Sequence, residues 1–314
     1  MKNVPIICTI ICVIFVIISS GAAARSVADS SHLAHYEAAY AHYLQGNYRD
    51  AIKEYTHAIR LKPDFATAFN NRGNAKYKLN DFDGALADYD KTIEIDSLYY
   101  KAYYNKGLTK NQITQYIDAI FDLNKAIDLK KNYSKAYYQR GYAKFYLDKY
   151  RDAIIDLDTC VLLTPSFYLA FYYRGLCKTR LGNYKNAIRD YSACINIASQ
   201  YAPAYYERGF AKALMKDYKA AIKDFNLAVL YKADYAEAYL HRGIIYSKMN
   251  YLDHALRDFD KSMKLEPKNP KVYYNRGIVF FKKKKHKKAK ADWEKCKKLG
   301  FSGGKILLKK YYGL

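Results

Sequence analysis

Carboxylates recur along this 314-residue chain at an interval of 34 residues: Glu54, then Asp88, Asp122, Asp156, Asp190, Asp224, Asp258 and Asp292. Cations keep the same interval at Arg72, Lys106, Arg140, Arg174, Arg208, Arg242 and Arg276. Such rows could form a catalytic or metal-binding line of carboxylates. Each of these aspartates, however, follows a base of the same copy by 16 residues, and both adjoin apolar positions. Opposite charges at the edge of a buried interface pair with each other, because a lone charge there is costly to desolvate. The rows therefore read as structural pairs.

No other arrangement suggests catalysis. There is no HExxH, no GxSxG and no paired-histidine spacing. The stretch Leu299-Gly300-Phe301-Ser302-Gly303-Gly304-Lys305 is faintly like a phosphate loop. It lacks the first glycine, the following Ser/Thr and a preceding strand, and reads instead as a helix stop. Cys160, Cys177, Cys194 and Cys296 form no CxxC pair. Three of them share one small position, which suits a compact apolar filler. Cys177 and Cys194 lie on the two helices of one copy, so a bridge is open to them in an oxidising compartment. The expectation is a chain without enzymatic activity, metal or cofactor.

The interval itself defines the elements. Counting each copy from position 1, with the first beginning at His32, position 8 is Ala39 and then Gly73, Gly107, Gly141, Gly175, Gly209, Gly243 and Gly277. Position 20 is alanine in all eight copies, from Ala51 to Ala289. Position 24 is large and apolar (Tyr55, Tyr89, Leu123, Leu157, Tyr191, Phe225, Phe259, Trp293), and position 27 is small. Positions 20, 24 and 27 share one helical face, as do 4 and 8. A fixed period of this length marks stacked copies of one small unit. Each copy reads as two antiparallel helices, A and B. Glycine inside a helix costs roughly 1 kcal/mol against alanine, so its recurrence points to close approach of A to B. Pro63, Pro165 and Pro267 mark the ends of B helices.

This pattern (aromatic 4, Gly 8, Ala 20, aromatic 24, small 27) resembles the tetratricopeptide repeat family over residues 32–303. The resemblance implies an all-α fold: an α-solenoid, a right-handed superhelix of about eight helix-turn-helix repeats. His35 and Ala39 make the first repeat atypical, and His286 stands where an aromatic is usual. Residues 304–314 are expected to form a C-terminal capping helix whose Ile306, Leu307 and Leu308 cover the open end. No Pro/Gly/Ser-rich linker interrupts the copies, so they read as one array.

The resemblance also implies a concave groove lined by helix A positions 2, 5, 6, 9, 12 and 13, and one-face spacing agrees. Position 5 supplies Tyr104, Tyr138, Tyr172 and Tyr206, and position 9 supplies Tyr142. Tyrosine gives broad contact, a hydroxyl and little entropy loss, which suits a protein or peptide partner. One sub-family clamps the C-terminal carboxylate of heat-shock chaperones. Asn74, Asn105 and Lys135 match its pattern here, while Asn70 and Gln139 replace two of its cations. A co-chaperone with a degenerate clamp is therefore an alternative.

Charge suggests a second alternative. The formal net charge is +23. Thirteen lysines between 282 and 310 face only Asp292 and Glu294. The run Lys282, Lys283, Lys284, Lys285, Lys287 and Lys288 is expected in the turn of the last helix pair. It could tether the chain to an anionic membrane or glycan surface. No nucleic-acid motif accompanies it, so specific nucleic-acid binding is not expected. At the other end, Lys2, an apolar run from Ile6 to Ile18 and Ala22-Ala23-Ala24 read as a signal peptide over residues 1–24. Export would lead to a periplasm, an endomembrane lumen or the medium. An uncleaved anchor over residues 4–24 is the rival. Asn132 heads the sole N-glycosylation sequon, Asn132-Tyr133-Ser134, in a loop between copies. The sequence gives no reason to expect other than a monomer.

Overall fold

A computed structural model of the chain describes residues 31–313. The 1–24 leader or anchor lies outside the described residues. Helix α1 covers residues 31–44. It is followed by α2 (Tyr48–Leu61), α3 (Ala66–Lys78), α4 (Phe82–Ile95), α5 (Tyr100–Gln112), α6 (Tyr116–Leu129) and α7 (Ser134–Tyr146). Then come α8 (Tyr150–Leu163), α9 (Tyr168–Arg180), α10 (Tyr184–Ile197), α11 (Ala202–Leu214), α12 (Tyr218–Tyr231) and α13 (Ala236–Lys248). The last are α14 (Leu252–Leu265), α15 (Pro270–Lys282), α16 (His286–Lys298) and α17 (Ser302–Tyr312). No strand occurs among the described residues. The fold is all-α, built from consecutive helix-turn-helix repeats of the α-solenoid kind, with one helix after the eighth.

The helices fall into two compact units, one ending at Leu147 and one beginning at Asp148. The sequence reads as a single array; the division falls inside the fourth repeat, between its A and B helices. No helix among the described residues is long and apolar enough to cross a membrane.

In both units the hairpin is locked by the same contact. The position-24 side chain is fully buried: Tyr55, Tyr89, Tyr191, Phe225 and Phe259 are at or within 1% of complete burial. Removing such a ring from water stabilises by about 1.5–3 kcal/mol. The position-8 glycine makes room for it. A Cβ added at Gly73 would stand 2.7 Å from the Tyr89 ring, and one at Gly243 would stand 2.8 Å from Phe259. The nearest obstacle is thus the ring of helix B, with the position-20 carbonyl just behind it, as at Ala85.

The A-to-B turn has a constant geometry. Its central residue, position 15, has positive φ throughout: Gly46, Asn80, Thr114, Asp148, Gly182, Lys216, Asn250 and Lys284. Only two are glycine. The left-handed conformation is unfavourable for the others, and most so for β-branched Thr114 (φ 63).

Helix α17 departs from the sequence reading in two respects. It begins at Ser302 rather than 304, because the chain turns at Gly300 (φ +83). Gly304 then lies inside the helix, where a Cβ would meet the Trp293 carbonyl at 2.7 Å, so α17 sits directly against α16. Leu308 is buried, but Ile306 is 63% exposed and does not cover the end. Leu307 and Tyr312 pack on the same cluster as Leu308, and Tyr311 and Tyr312 lie against Trp293 at 5.8 and 6.2 Å between ring centroids.

Candidate binding grooves on the A-helix face

The charged rows resolve into a spine of three-way pairs. Arg208 donates from Nε and Nη2 to both oxygens of Asp224 at 3.0 and 2.8 Å, and from Nη1 to the Ser192 hydroxyl of the preceding repeat at 3.0 Å. Arg72 (Asp88, Thr56), Arg174 (Asp190, Asp158), Arg242 (Asp258, Asn226) and Arg276 (Asp292, Asp260) repeat the pattern. A planar fork with five donors can serve two partners in this way. The guanidinium also lies over the position-4 ring, at 5.2 Å for both Phe69 and Phe171. Beside Arg72, Arg174 and Arg208 a lysine four residues on completes the group, as Lys76 does for Asp88 and Lys212 for Asp224; Tyr246 and Phe280 hold that position beside Arg242 and Arg276. The sequence reading found the first pair. It missed the link to the preceding repeat and the position-11 lysines, both of which keep the 34-residue interval.

One copy breaks the pattern. Lys106 replaces the arginine and reaches Asp90 at 2.6 Å, but stays 3.8 Å from Asp122. Burial then outweighs the lysines and holds the Asp122 carboxyl above the usual aspartate range. Cys160, Cys177, Cys194 and Cys296 are buried and joined by no disulfide. Burial pushes the Cys177 and Cys194 thiols up to about 12, which makes them inert at neutral pH. Among the described residues no acid, histidine and cysteine cluster could hold a metal ion.

Of the position-5 tyrosines, Tyr138 and Tyr206 are buried and Tyr104 and Tyr172 are half-buried against the chain's own rings, so the face is not the open tyrosine trough expected. Tyr138 is 7% and Tyr206 9% exposed. The covering group is the position-34 aromatic that ends the same repeat. Tyr104 packs on Tyr133 (4.9 Å), Tyr172 on Tyr201 (5.3 Å) and Tyr206 on Tyr235 (5.0 Å). Tyr142 stacks within its own helix against Tyr146 at 4.7 Å. The position-34 row (Phe65, Tyr99, Tyr133, Phe167, Tyr201, Tyr235) was legible as a repeat, but its partner was not.

In the N-terminal unit the groove floor is made of amides. Asn71 donates to the Tyr36 hydroxyl (2.8 Å), Asn70 to Asn71 (3.0 Å) and Asn105 to Asn70 (2.9 Å), a chain across three A helices. Around it opens a pocket of about 430 Å³, lined by Asn70, Asn74, Asn105, Tyr104, Lys101 and Lys135 among others. Asn74, Asn105 and Lys135 therefore come together as the clamp comparison expects, and Lys101 adds a cation that it does not contain. Gln139 does not join them: Asn111 donates to its side-chain oxygen and its carbonyl, both at 3.0 Å. A side cavity of about 80 Å³ holds the Tyr55 hydroxyl, which has no hydrogen-bond partner, beside Asn71 and Asn74.

In the C-terminal unit the same face carries Tyr206, Glu207 and Phe210 on α11 and Glu237, His241 and Ile244 on α13. His241 donates from Nδ1 to the Glu237 carbonyl (3.0 Å) and lies 3.2 Å from the Tyr206 hydroxyl. Burial keeps its imidazole below the usual histidine value. Burial likewise pushes the Glu207 carboxyl up to about 7; Arg180 opposes that shift and Glu237 adds to it.

At the C-terminal end, Lys282 closes α15, Lys283 caps it, and Lys284 and Lys285 make the turn. Lys287 and Lys288 belong to the first turn of α16, not to the loop. Lys282 donates to the Ser247 carbonyl and Lys283 pairs with Asp253; Lys284, Lys285, Lys287 and Lys288 are exposed, as is Lys282. Asn132 is exposed in the turn before α7.

These repeats and their packing define a helical repeat protein of the solenoid class. Family models described as TPR repeat (residues 39–80) and tetratricopeptide repeat (66–97, 100–133, 138–203, 202–235, 236–269 and 270–299) match the chain. The chain belongs to the tetratricopeptide repeat family. Among solved structures it is similar to YrrB, described as a TPR protein with an unusual peptide-binding site. That likeness has 25% identity and a TM-score of 0.51, over 59% of this chain and 95% of the other. It is also similar to MamA, at 29% identity and a TM-score of 0.50, over 55% of this chain and 94% of the other. A tetratricopeptide repeat protein from Parabacteroides merdae shares the fold at 18% identity and a TM-score of 0.59, over 78% and 97%. No curated protein matches the chain.

Proposed function

We propose that this chain is a non-catalytic scaffold that holds an extended peptide segment of a protein partner, with the amide-lined pocket of the N-terminal unit as its principal contact. One observation carries the reading: the side chains of Asn70, Asn71, Asn74 and Asn105 converge with Lys101 and Lys135 around one open pocket. Side-chain amides both donate and accept, so they can pair with a peptide backbone whatever its side chains. Two lysines on one wall favour an acidic residue or a terminal carboxylate. The description of YrrB as a peptide-binding TPR protein supports the same reading. The co-chaperone alternative shares this pocket but has Asn70 and Gln139 where two cations would stand. Tyr104 contributes to the pocket wall; Tyr138 and Tyr206 act as scaffold for it and for its C-terminal counterpart.

The test is a crosslinking pull-down with the chain lacking residues 1–24. Lys101→Ala with Lys135→Ala, both exposed on the pocket wall, should abolish capture of the wild-type partner while helicity and melting stay near wild type. Equal capture by both forms overturns the reading. Export through residues 1–24 belongs to the same proposal; N-terminal sequencing of the protein made in its own cell would find the chain starting near Arg25, or still at Met1.

The exposed lysines Lys284, Lys285, Lys287 and Lys288 favour a second contact, with an anionic membrane or glycan surface. Replacing the four with glutamate should release the chain from vesicles containing phosphatidylserine; retention at 0.5 M salt would argue against any charge-driven contact (about 4 Å of screening length).

A further inference from the structure

The C-terminal unit carries a feature that the scaffold reading does not use. A pocket of about 90 Å³ opens between α11 and α13, walled by Phe210, Phe225, Leu214, Ile244, Ile245 and His241. The His241 ring is held edge-on to Phe210 (5.2 Å) and stacked over Phe225 (6.5 Å). Its Nδ1 is tied to the Glu237 carbonyl and lies against the Tyr206 hydroxyl, so the wall is fixed before any partner arrives.

Two carboxylates stand on the same face, Glu207 and Glu237. In a chain of net charge +23 this is the opposite sign to what composition favours. Glu207 is half-buried and sits amid phenols: its charge acts on Tyr172, Tyr191, Tyr206 and Tyr235. Neither glutamate forms a salt bridge with another described residue, in contrast to the spine aspartates; Arg180 acts on Glu207 only through its field. A half-buried carboxylate with aromatic neighbours and no fixed counter-ion is a poor way to stabilise a fold. It is a good way to receive a cation, through both charge and ring faces.

We infer that this face is a second recognition site, which takes an apolar side chain of a partner peptide in the pocket beside His241 and a neighbouring lysine or arginine against Glu207 and Glu237. The inference rests on the reading of the A-helix face as a peptide-binding surface, but it uses different residues and the opposite charge. The order of groups along α13 adds direction. Glu237 begins the helix and Lys248, which also lines the pocket, ends it. Eleven residues of helix span about 16 Å, the length of roughly five residues of extended peptide. The fitting sequence therefore has its cation on one side of the apolar anchor and an acid or chain terminus on the other.

The experiment uses the chain lacking residues 1–24 and a fluorescein-labelled nonapeptide with two lysines, a leucine and a glutamate in that order, read by anisotropy. A second peptide has glutamates in place of the lysines. Glu207→Gln with Glu237→Gln should weaken the basic peptide by about tenfold, the scale of a charged hydrogen bond, and Ala213→Phe, which fills the pocket, should abolish it. Glu207→Gln alone should leave the melting temperature unchanged or raise it. Lys101→Ala with Lys135→Ala should leave the basic peptide's binding intact, so the two sites stand or fall separately. Equal affinity of wild type and the double glutamine variant overturns the inference. So does a lower melting temperature for Glu207→Gln, which would make that carboxylate a structural group, or equal binding of the glutamate-for-lysine peptide.

Discussion

The two units share a spine and differ in their grooves. In the N-terminal unit Arg72 and Lys76 close on Asp88; in the C-terminal unit Arg208 and Lys212 close on Asp224 with nearly the same distances. On the opposite face of the same A helices, one unit presents neutral amides beside Lys101 and Lys135, the other phenols and imidazole beside Glu207 and Glu237. Packing constrains the spine, because its position-23 aspartates are buried and must be paired. Nothing in the hairpin constrains the groove face, so its chemistry is free to diverge from copy to copy. What is invariant in this chain is therefore structural, and what varies is where recognition can reside.

That contrast can be broken most forcefully at the spine. Asp88→Ala and Asp224→Ala each strand two cations beside a buried interface and should each cost about 3–5 kcal/mol. Hydrogen exchange resolved by unit would measure both; a marked inequality would show that the spine is not common to the two units. Gly243→Ala should cost less, about 1–2 kcal/mol, since overpacking against Phe259 exceeds the gain in helix propensity. Circular dichroism during urea unfolding would check it, and an unchanged midpoint would remove the close-approach argument.

Smaller changes sharpen the comparison. Lys106→Arg should restore the fork to Asp122 and stabilise by about 1 kcal/mol. Because the Asp122 carboxyl is held above its ordinary value, the folded chain binds more protons there than the unfolded one. Stability from this group is thus present in acid and falls as the pH rises through the raised value. The arginine variant should flatten that fall; the same slope in both proteins would refute the assignment. Thr114→Gly should gain about 1 kcal/mol and Gly182→Thr should lose about as much, since both turns need positive φ. Another pH effect belongs to Glu207, raised from 4.5 to about 7. Wild-type stability should decline across that interval relative to Glu207→Gln, and parallel curves would contradict it.

Much of the fold was legible because the repeat states each packing rule eight times. Gly73 with Tyr89, or Gly243 with Phe259, could be matched from spacing alone, since helix period and hairpin geometry leave few alternatives. The position-15 strain was less visible: Thr114, Asp148 and Lys216 do not look like glycine, and only the backbone reveals that they do its work. The grooves were legible as faces but not as surfaces. Tyr138 and Tyr206 fall on the groove side by spacing, yet the position-34 rings cover them, a contact between residues 29 apart that no local pattern encodes.

The sequence by itself determined the architecture and the pairing of its buried charges, because period, size and sign are repeated and each admits one low-energy arrangement. Only the tertiary structure decided which polar groups remain available: Asn74 and Asn105 beside Lys101 and Lys135, the withdrawal of Asn70 and Gln139 into hydrogen bonds, and the carboxylate of Glu207 among tyrosines. Availability depends on what a side chain's neighbours in space have already satisfied, and those neighbours come from adjacent copies whose groove residues follow no common rule.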